Sequence, residues 1–244
     1  MLKLISAAAV LAMASGASAT ILYQTSFEAP TFNLTLNGVD GWITQGGGAI
    51  TNNAANARTG SRYVSVTPTT SGQWQWQGTI AQSAASLAVN PIIRASVWAQ
   101  IFNGTTTTNL KRAGLQMYNV AATGVMAAMY IDSDGTLTVT DEAGNQFASG
   151  AGFVNSSIYN QMQIELNYAN STARYFLNGV DLGVVGTIFS TDFGDADFYS
   201  TRTTGTAGGN QIRYDDYLVE QVPTPGTLAL MGLGGLVAAR RRRA

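Results

Sequence analysis

The stretch Gln161-Met162-Gln163-Ile164-Glu165-Leu166-Asn167-Tyr168 decides the architecture. Met162, Ile164, Leu166 and Tyr168 fall on one side of an extended chain, and Gln161, Gln163, Glu165 and Asn167 on the other. A period of two is the mark of a β-strand with one buried and one wet face. Downstream, Asn178-Gly179 separates Tyr175-Phe176-Leu177 from Val180-Asp181-Leu182. Upstream, Asp134-Gly135 separates Met129-Tyr130-Ile131 from Thr136-Leu137-Thr138-Val139, and Gly144-Asn145 follows the next run. Asn-Gly or Asp-Gly between strand-like runs is the strongest short hairpin signal. The segment from Leu115 to Leu182 therefore reads as an antiparallel meander. Arg62–Val66, Ile93–Trp98 and Gly114–Tyr118 alternate in the same way, and no long stretch has helical spacing. Many short strands with regular turns predict an all-β domain, a two-sheet antiparallel jelly-roll sandwich.

Both ends of the chain lie outside that pattern. Lys3 precedes an apolar stretch from Leu4 to Ala14, followed by Ser15-Gly16-Ala17-Ser18-Ala19. This reads as a secretory signal over 1–19, with Ala17 and Ala19 forming the Ala-x-Ala site and cleavage after Ala19. At the other end come Pro223-Thr224-Pro225-Gly226, an apolar run from Thr227 to Ala239, and Arg240-Arg241-Arg242-Arg243. The run is shorter than the roughly 20 residues of a comfortable membrane crossing. Four arginines keep the extreme C-terminus in the cytoplasm. The pattern predicts a short C-terminal membrane helix and transient membrane association. The body between is 20–221, a single domain, with the tail at 222–244.

Composition narrows the chemistry. The formal charge of −1 counts Lys3 and the four terminal arginines. Setting those five aside leaves eight basic residues against 14 acidic ones, so the body is near −6. Such a surface repels phosphate backbones, which argues against nucleic acid as a partner. There is no cysteine, so the domain folds on its core alone. There is no histidine, which removes the commonest general base and zinc ligand.

The tail resembles the PEP-CTERM sorting signal of bacterial exported proteins. Pro223, Pro225, Gly226, the apolar run and Arg240–Arg243 carry the likeness, and Thr224 stands where the family usually has Glu. The resemblance implies an exosortase-type membrane enzyme as processing partner, and delivery to the cell envelope surface or the medium.

The body is similar to the concanavalin A-like lectin/glucanase (laminin-G-like) sandwich. Ser26-Phe27-Glu28 on a first strand, Gly41-Trp42, Ala57–Tyr63, the hairpin Ala173–Gly179 and the closing strand Ile212–Val219 carry that likeness. A galactose-binding-like jelly roll shares the opening Phe-Glu and closing Asp-Asp and is the alternative. Retaining glucanases of this fold place Glu-x-Asp-x-x-Glu on one strand, and this chain has no such motif; Glu165-Leu166-Asn167 comes nearest. With no acid-pair motif, no His and no Cys, the expectation is a non-catalytic module of a carbohydrate-binding or extracellular-matrix kind, with extracellular polysaccharide as ligand. A structural or adhesive surface protein is the first alternative. A lyase or hydrolase with an atypical site is the second.

Two places offer a site. In Gln73-Trp74-Gln75-Trp76-Gln77 the indoles share one strand face and the amides the other. Trp74 and Trp76 as sugar-stacking plates, with Gln73 and Gln75 binding hydroxyls, is the functional reading. The alternatives are tryptophans in the core with solvated glutamines, or glutamines lining the concave face. Glu28, Asp215 and Asp216 converge if the first and last strands pair. Carboxylate oxygens suit calcium, and the fold resemblance implies a structural calcium near this junction. The plainer alternative is a solvated or arginine-paired cluster. No other cofactor is expected. Asp132-Ser133-Asp134-Gly135 reads as a hairpin turn.

Overall fold

The computed structural model describes residues 19–103, 110–203 and 209–223. The expected signal, apart from Ala19, and the tail from Thr224 through Gly226 to Arg240–Arg243 lie outside the described residues, as does the expected C-terminal helix. Among the described residues no helix is long and apolar enough to cross a membrane.

Among the described residues fifteen strands form two antiparallel sheets packed face to face. The first sheet has eight strands. Its centre is β6 (Ile92–Phe102) beside β15 (Gln211–Val222). β11 (Asn160–Asn167), β12 (Thr172–Leu177) and β13 (Val180–Thr187) extend it on the β6 side. Beyond β15, its early half pairs with β4 (Arg62–Val66) and then β3 (Ala49–Asn52), and its late half with β1 (Thr20–Thr25). The second sheet runs β10 (Gln146–Ala148), β9 (Leu137–Asp141), β8 (Val125–Asp132), β7 (Lys111–Tyr118), β14 (Asp195–Arg202), β5 (Gln73–Gln77), β2 (Trp42–Gln45). A short helix, α1 (Ala84–Val89), is capped by the Ser83 side chain.

Alternation puts the apolar set inside. On β11, Met162, Ile164 and Leu166 are fully buried, while the residues between them are only partly so. The core's heaviest part is aromatic. Trp42 lies 5.0 Å from Phe198, 5.1 Å from Tyr217 and 5.5 Å from Phe27 between ring centres. Phe198 stacks on Tyr214 at 4.7 Å and 12°. Offset and edge contacts of this kind add to the burial of the rings themselves.

Three expectations are corrected. The segment 115–182 is two meanders, not one: β7–β10 belong to one sheet and β11–β13 to the other. Hairpin signals are local and both are obeyed: Asn178 and Gly179 sit at φ 52° and 78° and Gly135 at 85°. The crossing between sheets over 149–159 carries no such signal. Ser26-Phe27-Glu28 follows the first strand, which ends at Thr25. Last, plain alternation along Ile212–Val219 would set Asp216 on one face with Ile212, Tyr214 and Leu218, and it does not stand there. The register of β15 shifts between Asp215 and Leu218, and Asp216 takes φ 46°. The bulge turns Tyr217 and Val219 inward instead.

Candidate functional site: an aromatic face with a carboxyl pair

The outer face of the second sheet is built by pairing. Trp74 lies opposite Tyr199, and Trp76 opposite Asp197. Across β14, Asp195 faces Tyr118 and Asp197 faces Gln116. Directly opposed residues share a face, so this surface collects Trp74, Trp76, Tyr118, Tyr199 and two carboxyls. Trp74 and Trp76 are half-buried. They line a cavity of about 290 Å³ together with Gln45, Tyr118, Ala122, Asp195 and Asp197.

Hydrogen bonds fix the aromatic walls. The Trp74 Nε1–H donates to Gln116 Oε1 at 2.9 Å, and the Tyr118 hydroxyl donates to the same oxygen at 2.8 Å. Gln116 Nε2 donates to the Tyr130 hydroxyl at 2.7 Å. Trp74 and Tyr199 pack at 5.3 Å, and Tyr199 and Tyr130 at 5.8 Å. Arg112 is held by both oxygens of Asp132, at 2.7 and 2.8 Å, and is therefore committed. Trp76 has no such tie among these contacts.

The carboxyls are the unusual feature. Asp197 is only 6% exposed. No donor of the protein reaches Asp197 Oδ1 or Asp195 Oδ1, although both atoms are buried. The two groups stand two residues apart on the same face of β14 and line the same cavity. Burial pushes both up from the ordinary carboxylate range. The charge of Asp195 pushes Asp197 further, so Asp197 keeps a proton longest. The sequence reading missed this pair. Its signal was Asp195-Ala196-Asp197 before Phe198, an alternating acid pair on a strand, but its importance depends on which strands lie alongside.

The glutamines face the other way. Gln73, Gln75 and Gln77 are buried. Gln73 Nε2 donates to the Gly46 carbonyl, Gln75 Nε2 to that of Gly47 at 3.3 Å, and Gln77 Nε2 to that of Asp40 at 2.6 Å. The expectation that Gln73 and Gln75 bind sugar hydroxyls beside the indoles is therefore corrected. They pin the loop that carries the chain from β2 to β3. Gly46, Gly47 and Gly48 all have positive φ there, and a Cβ at Gly47 would meet Gln73 Nε2 at 2.8 Å.

Glu28, Asp215 and Asp216 do converge, on one loop, but as clamps. Glu28 Oε1 accepts from the N–H groups of Ser61 at 2.8 Å and Arg62 at 2.7 Å, and Oε2 from the Ser61 hydroxyl at 3.0 Å. Burial opposes ionisation of Glu28, but these donors outweigh it and hold its carboxyl below the ordinary range. Asp215, fully buried, accepts from the N–H groups of Arg58 at 2.9 Å and Thr59 at 3.2 Å; burial pushes its carboxyl up to about 7. Asp216 pairs with Arg58 and accepts from the Thr59 hydroxyl at 2.7 Å. A shell of N–H donors and a guanidinium does not fit a cation. Among the described residues no group of three or more acidic, His or Cys side chains is arranged for a metal. The calcium expectation for these three residues is corrected accordingly, in favour of the arginine-paired alternative.

A second cavity, of about 450 Å³, lies on the outer face of the first sheet around Trp98, Ser96, Gln161 and Asp216. Its one indole is covered: the Arg58 guanidinium lies 3.6 Å over the Trp98 ring. Elsewhere on that sheet Glu165 is tied to Arg94 at 2.8 Å, which also reaches Glu220 at 2.9 Å, so neither of these two acids is free.

The two-sheet jelly-roll sandwich is shared with solved structures of low sequence identity. The chain is similar to the conserved carbohydrate esterase of the Shiga toxin-encoding bacteriophage phi24B, at TM-score 0.56 and 16% identity, covering 85% of this chain and 100% of that one. It is similar to the CBM2 module of the evolved Dit protein of Lactobacillus casei BL23 phage J-1, at TM-score 0.54, 14% identity, 85% and 98% coverage. The Emp47p carbohydrate recognition domain aligns at TM-score 0.51, 8% identity, 84% and 97% coverage. No curated protein matches the chain in sequence.

Residues 221–243 match the PEP-CTERM protein-sorting motif. The motif marks export and sorting to the cell envelope surface, and implies processing by an exosortase, a membrane enzyme. It begins within the fold: Gln221 is a buried β15 residue, in register with Thr20 of β1, and its amide donates to the Asn90 carbonyl at 2.8 Å.

Proposed function

We propose that the body is a non-catalytic carbohydrate-binding module working at the cell envelope or in an extracellular polysaccharide layer, and that sugar binds the outer face of the second sheet. The observation that carries this reading is the half-exposed Trp74/Trp76 pair beside the carboxyls of buried Asp197 and half-buried Asp195, each with one oxygen that no protein donor reaches. Indole faces take the apolar side of a pyranose ring, and carboxyl oxygens take its hydroxyls. The likeness to carbohydrate-recognition folds supports the same reading.

Hydrolysis is the weaker account. A glycosidase sets two carboxyls about 5 Å or more apart, across the scissile bond. Asp195-Ala196-Asp197-Phe198-Tyr199-Ser200 has serine where the Glu-x-Asp-x-x-Glu strand of retaining glucanases carries its last acid.

The test is binding of the full chain, held in detergent, to a panel of polysaccharides, alongside Trp76→Ala. Binding that falls at least about tenfold in the variant, with unfolding temperature retained, is expected from the loss of one stacking plate. Undiminished binding in Trp76→Ala, or no binding to any glycan, overturns the proposal.

A further inference from the structure

Resting on that reading, we propose that the cavity between β5, β7 and β14 selects a sugar carrying a free amino group, a hexosamine without its N-acetyl cap, over neutral or acidic sugars.

Three observations converge. Asp197, nearly fully buried, and Asp195 both line the cavity, and each has one buried oxygen that no protein donor reaches. The walls around them are aromatic: Trp74, Trp76 and Tyr118. Among the described residues lining the cavity none is basic, and Arg112, on the same face, is already committed to Asp132. The space is therefore negative, walled by π-systems and short of donors. A hydroxyl supplies one donor and no charge. A protonated amine supplies three donors and a positive charge. It can meet both carboxyls at once and relieve the repulsion between them. The aromatic faces add attraction for a cation within about 6 Å of a ring centre. A carboxylated sugar meets repulsion from the same pair. A calcium ion asks for six to eight oxygen ligands, and two carboxyls with the Gln45 amide fall short of that. An organic cation fits the walls and a metal does not.

The experiment titrates the full chain with glucosamine oligomers and with N-acetylglucosamine oligomers of the same length, by calorimetry near neutral pH, repeated with calcium alone. Free glucosamine and free N-acetylglucosamine serve as competitors, an arm that requires no variant. The amine form is expected to bind at least about tenfold more tightly, since a charge-assisted contact exceeds a neutral one by that margin. Asp195→Asn, close to the same shape, is expected to reduce the preference towards unity while N-acetylated oligomers still bind. Equal binding of the two oligomers, or tighter binding of the acetylated one, overturns this inference and leaves the carbohydrate reading standing. Calcium binding that the amine does not displace also overturns it. Binding of neither oligomer, nor of any glycan in the wider panel, removes the carbohydrate reading itself.

Discussion

Glu28→Gln separates a loop clamp from a calcium ligand. In the wild type one carboxylate accepts three hydrogen bonds, at 2.7, 2.8 and 3.0 Å, from a loop 33 residues away. Hydrogen bonds to a charged group contribute about 1.5–3 kcal/mol each, and unpairing a buried donor costs about 1–3. Glutamine keeps one acceptor oxygen and turns an NH2 toward the remaining donors. Glu28 is only partly buried, so water softens the loss. The net effect is about 2–3 kcal/mol of destabilisation. For a domain near 200 residues that is about 4–12 °C in Tm, at about 2–4 °C per kcal/mol. Thermal unfolding followed by circular dichroism measures it, with calcium and with chelator. Neither addition is expected to move the wild-type Tm. The pH dependence has a definite sign. The carboxyl of Glu28 is depressed below the ordinary 4.5, so its contribution is present above that value and disappears as pH falls through the lowered one. The gap between wild type and Glu28→Gln should therefore close in acid. A Tm unchanged by the substitution, or a wild-type Tm lowered by chelator and restored by calcium, refutes the clamp.

Other perturbations reach other parts of the account. Trp42→Ala removes a fully buried indole from the aromatic core and should cost about 3–5 kcal/mol, read as a lowered urea midpoint. Gly135→Val places a Cβ 2.4 Å from the Val154 carbonyl at a φ of 85°, so a loss of about 2–4 kcal/mol is expected from the same measurement. Asp195 and Asp197 are raised in the fold, so folding takes up protons there and stability falls as pH rises from the ordinary carboxylate range through their raised values. Asp197→Asn should flatten that fall, giving a Tm that declines less toward neutral pH than the wild type's.

The sequence exposed what depends on short range. The alternation at 161–168 reads cleanly because β11 has one face on the core and the other on the outer surface of the sheet. Asn178-Gly179 and Asp134-Gly135 read as turns because positive φ is a local demand. What stayed hidden depends on distant partners. Gln73, Gln75 and Gln77 look like a wet face until the Gly46, Gly47 and Asp40 carbonyls arrive from some 30 residues upstream to occupy their amides. The β15 bulge reverses the faces of Asp216 and Tyr217 without a glycine to mark it. Asp195 and Asp197 look like surface acids until β5 and β7 set Trp76, Tyr118 and Gln116 beside them. The tryptophans were visible as a candidate plate pair, but their chemical partners were not the neighbouring amides. They were the carboxyls of a strand 120 residues later.

The four tryptophans occupy three environments: Trp42 in the core, Trp74 and Trp76 on the face of the second sheet, Trp98 under Arg58 on the first. Oxidative footprinting of the four, with and without a bound glycan, tests the central claim most directly. Protection of Trp74 and Trp76, with Trp98 unchanged and Trp42 unreactive throughout, is the predicted result. Protection at Trp98 alone, or no change at any indole while glycan is bound, would place the sugar elsewhere and contradict the account.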